Sequence, residues 1–290
     1  MPVVTVCNHK GGTGKTTTVI HLAAAAGLAG RRVLVVDLDP QAFLTRMLGV
    51  AEPPPERSSL ALIDPQGDLR ALETHRLSGF DLLPASGAMN KAQRALTKPT
   101  DVFWLKETLA QGHDYDLLFL DTAAALSVFT MNALVASDHV LIPVTPEYQP
   151  VVGAEQTWQT ARLVREKLNP ALAVPLFLLT QVDARKRDHA SYARYLLDTY
   201  GDRVVRSVIR TSAALAETTH DGRTVFDHDV ASRGARDYAN AADELSRHYF
   251  PEAPAAPEAP AAPPPAAPPE PDAPPGVAAP QPWVALHEAS

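Results

Sequence analysis

Short, continuously apolar runs recur along this chain, and stretches with apolar residues at helical spacing stand between them. Residues 3–7, 32–38, 80–85, 115–121, 140–144 and 176–182 are too short and too evenly apolar for amphipathic helices and read as buried strands. Residues 18–29, 42–48, 101–112, 126–136, 151–168 and 232–249 read as helices, with shorter helical pieces at 60–63 and 69–77. Trp104 falls within the helical stretch 101–112 as a core or rim residue, and the segment AEPPPERSS at 51–59 is a polar, proline-marked loop. Strands that alternate with helices over short connections predict an α/β fold, a doubly wound, mostly parallel sheet flanked by helices.

The composition changes at Pro251. From there to Pro282 the chain is almost entirely Pro and Ala, holding about half of its 27 prolines, and such a segment cannot build a packed core. The expected organisation is one well-buried domain over 1–250 and a disordered tail over 251–290, ending in the short apolar run PWVAL. The tail carries five acids, Glu252, Glu258, Glu270, Asp272 and Glu288, and no Lys or Arg, so the body holds only −2 of the formal charge of −7. A nearly neutral body neither requires nor excludes nucleic-acid binding. The lone cysteine, Cys7, makes neither a disulfide framework nor a cluster site and reads as a small core residue. No apolar run is long enough to span a bilayer and the N-terminus enters a strand at once, so a cytoplasmic protein is expected.

The first predicted strand and helix enclose KGGTGKTT, residues 10–17. Strand, glycine loop and helix is the context a phosphate-binding loop requires. Gly11, Gly12 and Gly14 let successive N–H groups turn inward, and Thr13 lies among them. Lys15 is spaced to reach the β- and γ-phosphates, Thr16 offers a hydroxyl to Mg²⁺, and Thr17 is a candidate for the α-phosphate. The run DLDPQ places Asp37 and Asp39 at a strand's carboxyl end, where open parallel sheets put ligands, although the same acids also suit a loop that caps a short helix. YDLLFLD ends on Asp121 in the Walker B manner, a third acid for a phosphate-bound metal.

Lys10, five positions before Lys15, is more than a plain phosphate loop needs. A lysine there, followed by GGTGKT and then by DLDPQ, resembles the ParA/Soj/MinD-like ATPases, P-loop NTPases of the deviant Walker A (SIMIBI) type. The resemblance extends over about residues 1–249. It implies binding of ATP and Mg²⁺, an ATP-bound homodimer in which Lys10 reaches the partner's phosphates, and Asp39 orienting the attacking water, with Asp37, Asp121 and Thr16 about the metal. Glu147 and Tyr148 match a pair that lies at the family's dimer face, though a structural role fits them equally. Where the family has two prolines after the Walker B acid, this chain has Thr122, Ala123 and Ala124, which leaves that loop less rigid.

ParA-like relatives bind DNA without sequence preference through basic residues of the C-terminal part. Arg185 falls on such a position, and Arg210, Arg233 and Arg236 are further candidates, but Asp188, Asp221, Asp227 and Asp229 are interspersed, so a mixed solvated surface fits as well. The implied role is chromosome or plasmid partition from the nucleoid, with hydrolysis stimulated by a ParB-like partner; the alternative is a related switch that positions a protein cargo. Metabolic P-loop enzymes such as dethiobiotin synthetase share the fold, but no separate substrate motif is evident here. An iron-protein-like reading lacks its cysteines. The tail is acidic where a MinD-like membrane helix would be basic, which argues against a membrane. PWVAL reads either as a partner motif on a tether or as part of a dispensable tail.

Overall fold

The computed structural model describes residues 1–251 apart from 65 and 219–221. The tail and its PWVAL end lie outside the described residues, as does Asp221. Strand β1 (Val3–Val6) leads into helix α1 (Lys15–Leu28), and β2 (Val33–Asp37) into the short α2 (Phe43–Met47). After a stretch of 3₁₀ turns come β3 (His75–Arg76), β4 (Asp81–Leu83), α3 (Met89–Ala95) and α4 (Trp104–Ala110). The chain continues as β5 (Leu117–Asp121), α5 (Val128–Ala136), β6 (His139–Val144), α6 (Tyr148–Lys167), β7 (Leu176–Leu179) and α7 (Arg187–Tyr200). Short helices α8 (Ala213–Glu217) and α9 (Val225–His228) precede the long α10 (Arg233–Tyr249).

The strands form one sheet in the order β3-β4-β2-β5-β1-β6-β7, parallel throughout except for β3. Alternate residues of each central strand face opposite sides, as strand geometry requires. Val33 and Val35 of β2, Leu117 and Phe119 of β5, and Leu176 and Leu178 of β7 join the core that α1 and α10 cover. Leu34 and Val36, with Leu118 and Leu120, enter a second core on the other face, and Phe177 and Leu179 a third beneath α6. Cys7 is buried in that third core, and burial pushes its thiol up to about 12. Covering both faces explains why the strands lack a polar alternate.

The stretch 69–77, expected to be helical, is instead a 3₁₀ turn at Leu69–Ala71 followed by the antiparallel edge strand β3. Ser78 and Gly79 form a turn, with Gly79 at φ +87° and Leu77 N–H donating to the Phe80 carbonyl at 2.9 Å, and Arg76 pairs with Asp81 across the hairpin at 3.0 Å. A turn that closes a hairpin outweighs the weak helical preference of the residues before it. No element is expected from the sequence at α3 or α7. Helix α3 fully buries Met89 alone and has little apolar stripe to read, whereas α7 lays His189, Tyr192, Ala193, Leu196 and Tyr200 at helical spacing along the third core, a periodic signal that the strand-by-strand reading passes over.

Gly27, near the end of α1, lies against the same hairpin. A Cβ placed on it would sit 1.6 Å from the Gly79 carbonyl oxygen. Gly27→Ala is therefore expected to destabilise the protein by about 1–3 kcal/mol despite alanine's better helix propensity. Urea unfolding of the two proteins checks this, and an unchanged or raised midpoint would show that the hairpin yields freely.

Candidate functional site

The register of the sheet brings the motifs together. Val6, the last residue of β1, is paired with Asp121, and Asp121 is paired with Asp37 on its other side. Because these strands are parallel, the loops after β1, β2 and β5 leave from one edge. That edge holds the phosphate loop, the DLDPQ loop and the Walker B acid side by side.

In the loop, Gly12 and Gly14 adopt φ +77° and +79°, a region that side chains make costly. Gly14 is the N-cap of α1, which has no side-chain cap and no acid in its first turn. The first N–H groups of a fourteen-residue helix are thus left to a ligand, with the positive end of its dipole behind them. Lys15 is 8% exposed, and its Nζ donates to the Lys10 carbonyl at 3.3 Å, spanning the loop. Burial pulls its pKa down, opposed chiefly by the charge of Asp121. Such an ammonium is short of anionic partners.

Thr16 donates its hydroxyl to Asp121 Oδ2 at 2.8 Å, while Asp121 Oδ1 is buried with no hydrogen-bond partner among the described residues. Burial, then the neighbouring Asp37, raises the Asp121 carboxyl well above its ordinary range. Burial likewise brings Asp37 up to about 6, opposed by the hydrogen bonds it accepts from Thr45. An orphaned carboxylate oxygen beside a hydroxyl, in a place where burial favours the neutral acid, fits a divalent cation that would restore the charged form. Among the described residues no group of three or more His, Cys, Asp or Glu could hold a metal. Mg²⁺ takes few protein ligands and fills its shell with phosphate and water.

Both Asp37 oxygens are engaged by the protein. Oδ2 accepts from Thr45 N–H at 3.0 Å and Thr45 Oγ1 at 2.7 Å, and Oδ1 from Asp39 N–H at 3.0 Å. Asp37 thereby anchors the turn that presents Asp39. The Asp39 carboxylate is oriented in turn by Gln41 N–H on Oδ1 at 2.8 Å and is half-buried. Instead of the family's prolines, Thr122 ties the Walker B loop down, donating its hydroxyl to the Val6 carbonyl at 3.0 Å. Fastening by a side chain replaces fastening by a ring.

Around Lys10 and Glu147, several contributors carry no motif: Gln149, Thr180, Gln181, Lys186 and His189. Lys10 turns outward, its Nζ donating to Gln149 Oε1 on α6 at 2.7 Å. Glu147 Oε1 accepts from Lys186 Nζ at 2.9 Å and lies 3.0 Å from Nε2 of His189, whose Nδ1 takes the Asp183 N–H at 3.1 Å. With Nδ1 accepting, the neutral ring carries its proton on Nε2, toward Glu147. Thr180 and Gln181, at the end of β7, reach the phosphate loop's carbonyls. Lys10, Gly12, Glu147, Gln149, Gln181 and His189 line one cleft of about 480 Å³. Phe43, Leu126 and Tyr148, 55%, 53% and 67% exposed, follow β2, β5 and β6 on this same edge.

The candidate arginines divide in two. Arg185 pairs with Asp183 at 2.8 Å, and Arg210 is bound by Asp237, its Nε 3.0 Å from Oδ2. Arg233 and Arg236 are exposed on the first turn of α10 and make no ion pair among the described residues. Val182 bridges to Arg210, which bonds Asp237 of α10, so the loop after β7 and the start of α10 are neighbours.

A family profile described as an AAA domain matches residues 1–174. The chromosome-partitioning ATPase Soj of Thermus thermophilus is 38% identical over 243 residues, covering 83% of this chain and 94% of that protein. The sporulation initiation inhibitor protein Soj of Bacillus subtilis is 33% identical over 247 residues, covering 84% and 98%. Among solved structures, a cobyrinic acid a,c-diamide synthase from Mycobacterium smegmatis with bound ATP analogue and magnesium superposes with a TM-score of 0.70 at 31% identity, over 86% of this chain and 96% of that one. A putative plasmid partition protein from Borrelia burgdorferi bound to AMPPNP reaches 0.72 at 22% identity, over 85% and 99%, and supports the fold. Kinship with partitioning ATPases across nearly their full length, joined to a phosphate loop opened by its second lysine, places this chain in the ParA/Soj-like family of partition ATPases.

Proposed function

We propose that this chain is a Mg²⁺-dependent ATPase that dimerises on ATP, binds DNA without sequence preference and drives chromosome or plasmid partition, with a ParB-like protein stimulating hydrolysis. The observation that carries this reading is the division of labour between two lysines. Lys15 is buried within the loop, whereas Lys10 is held at the rim by Gln149, free to leave one neutral partner for a phosphate on a second subunit. The exposed Phe43, Leu126 and Tyr148 give the same edge apolar surface suited to a partner.

Thr16 and Asp121 would hold the metal, with Asp37 adding charge from behind through its register partner Asp121. A Mg²⁺ ion held by these residues would supply charge neutralisation for phosphoryl transfer. Gly11, Gly12, Thr13, Gly14 and Thr17 belong to the cradle and the helix end that take the phosphates, and Lys15 adds its charge to the transferring group. Asp39 positions the attacking water from a carboxylate already fixed by Gln41. The tail of 251–290 is proposed as a separate segment outside the ATPase domain.

Arg233 and Arg236, exposed at the start of α10, are the DNA contacts of first choice, with Arg185 and Arg210 released only if their acids let go. Binding to a nonspecific duplex is expected with ATP and not with ADP, falling steeply with salt. Replacing Arg233 and Arg236 together by alanine should weaken it uniformly across sequences and reduce the salt slope by about 1 for each phosphate no longer neutralised. Nucleotide-dependent dimers that never bind DNA would favour the alternative, a switch that positions a protein cargo.

A further inference from the structure

Among the described residues, only Ala42 and Gln181 are non-glycine residues in the left-handed region, and Gln181 stands there at φ +53°. An L side chain takes that conformation at a cost, so something must hold it. Its Nε2 donates to the Gly12 carbonyl at 2.6 Å, 169 positions away in sequence. The preceding Thr180 donates its hydroxyl to the Thr13 carbonyl at 2.8 Å. Two consecutive carbonyls of the phosphate loop are therefore pinned from the end of β7.

A trans peptide is planar, with its C=O and N–H on opposite sides. Holding the Gly12 carbonyl toward Gln181 turns the Thr13 N–H the other way, and holding the Thr13 carbonyl toward Thr180 does the same to the Gly14 N–H. Both amides then face away from β7, toward the hollow that Lys15 spans. We infer that Gln181 is a positioning residue, which together with Thr180 sets the Thr13 and Gly14 amides as phosphate donors before the nucleotide arrives. The inference rests on the reading of this loop as the triphosphate site. Its physical content is preorganisation: donors aimed in advance need no reorganisation on binding. Gln181 also begins the segment that leads through Val182 to Asp183 and Arg185.

The test is binding of a fluorescent Mg·ATP analogue to the full chain and to two variants. Gln181→Asn tolerates the left-handed conformation better but is one methylene too short; it should melt at the wild-type temperature and bind about tenfold more weakly. Gln181→Glu keeps the shape and, when ionised, loses the donor. At pH 8 it should bind at least tenfold more weakly than wild type, and at pH 5, as the carboxyl regains a proton to donate, the gap to wild type at that pH should shrink at least threefold. Because an ionised Glu would also repel the triphosphate through space, the neutral Asn variant carries the distinction: a residue that only filled space would bind within twofold of wild type as Asn. Binding within twofold of wild type by Gln181→Asn at pH 8, or a gap for Gln181→Glu that does not change with pH, would overturn the assignment while leaving the triphosphate site intact. Failure of the wild type itself to bind the analogue would remove that reading and this inference with it.

Discussion

Asp39→Ala is expected to leave ATP affinity and ATP-dependent dimerisation near wild type while lowering turnover by about 100-fold or more. The carboxylate is half-buried, is oriented by Gln41 N–H, and stands on a turn that Asp37 and Thr45 hold from below. None of those supporting contacts depends on the Asp39 side chain except that of Gln41, so the loop should keep its shape. A positioned acid or base contributes about 10²–10⁴ to a reaction, and with the role proposed for Asp39 its loss is expected to remove the orientation of water rather than the binding of phosphate. Steady-state phosphate release measured beside nucleotide-dependent dimerisation checks the split. Normal turnover would refute the assignment of Asp39; lost dimerisation would show that the residue serves assembly instead.

Lys15→Ala is expected to act on the other quantity, weakening Mg·ATP by about 10- to 100-fold, as removal of one charged hydrogen bond implies. The free variant should melt no lower than wild type. Burial already disfavours the ammonium, and Asp121, whose carboxyl is raised well above its usual range by burial, can stay neutral without it. The contrast appears in ligand-induced stabilisation. At a nucleotide concentration about 100 times the wild-type Kd, wild type gains about 2.7 kcal/mol, whereas a variant bound 100-fold more weakly gains about 0.4 kcal/mol. Thermal unfolding with and without Mg·ATP measures both effects. A variant stabilised as much as wild type would mean that Lys15 does not meet the nucleotide.

The two expectations separate because the fold separates the residues. Lys15 is on the first turn of α1, within the hollow of the loop, while Asp39 enters from the loop after β2, two strands away from β1 in the sheet. Only parallel strands with aligned carboxyl ends put both at one edge.

Much of this is legible in the chain itself. Apolar runs bounded by loops predict the parallel strands, KGGTGKTT the phosphate loop, and DLDPQ and LLFLD the acids beside it, because each depends on residues close in sequence. The same local pattern favours a helix over 69–77, where a hairpin forms instead, an element decided by contacts across the sheet rather than by local periodicity. Over 187–200 the helical spacing of Tyr192, Ala193, Leu196 and Tyr200 is present in the sequence, and α7 follows it.

The division of roles within the site belongs to the tertiary structure. That Asp37 is spent on Thr45 and Asp39, that Arg185 and Arg210 are paired with acids, and that among the described residues Asp121 keeps an unpartnered oxygen and Arg233 and Arg236 make no ion pair, are facts of the folded arrangement. Gln149 and Gln181 lie 139 and 169 positions from the loop residues they hold, on elements brought beside β1 by the order β1-β6-β7. Local sequence determines which groups leave a strand's end. Which of them remain free for a ligand depends on what the neighbouring strands carry to the same edge, and spacing along the chain does not encode that.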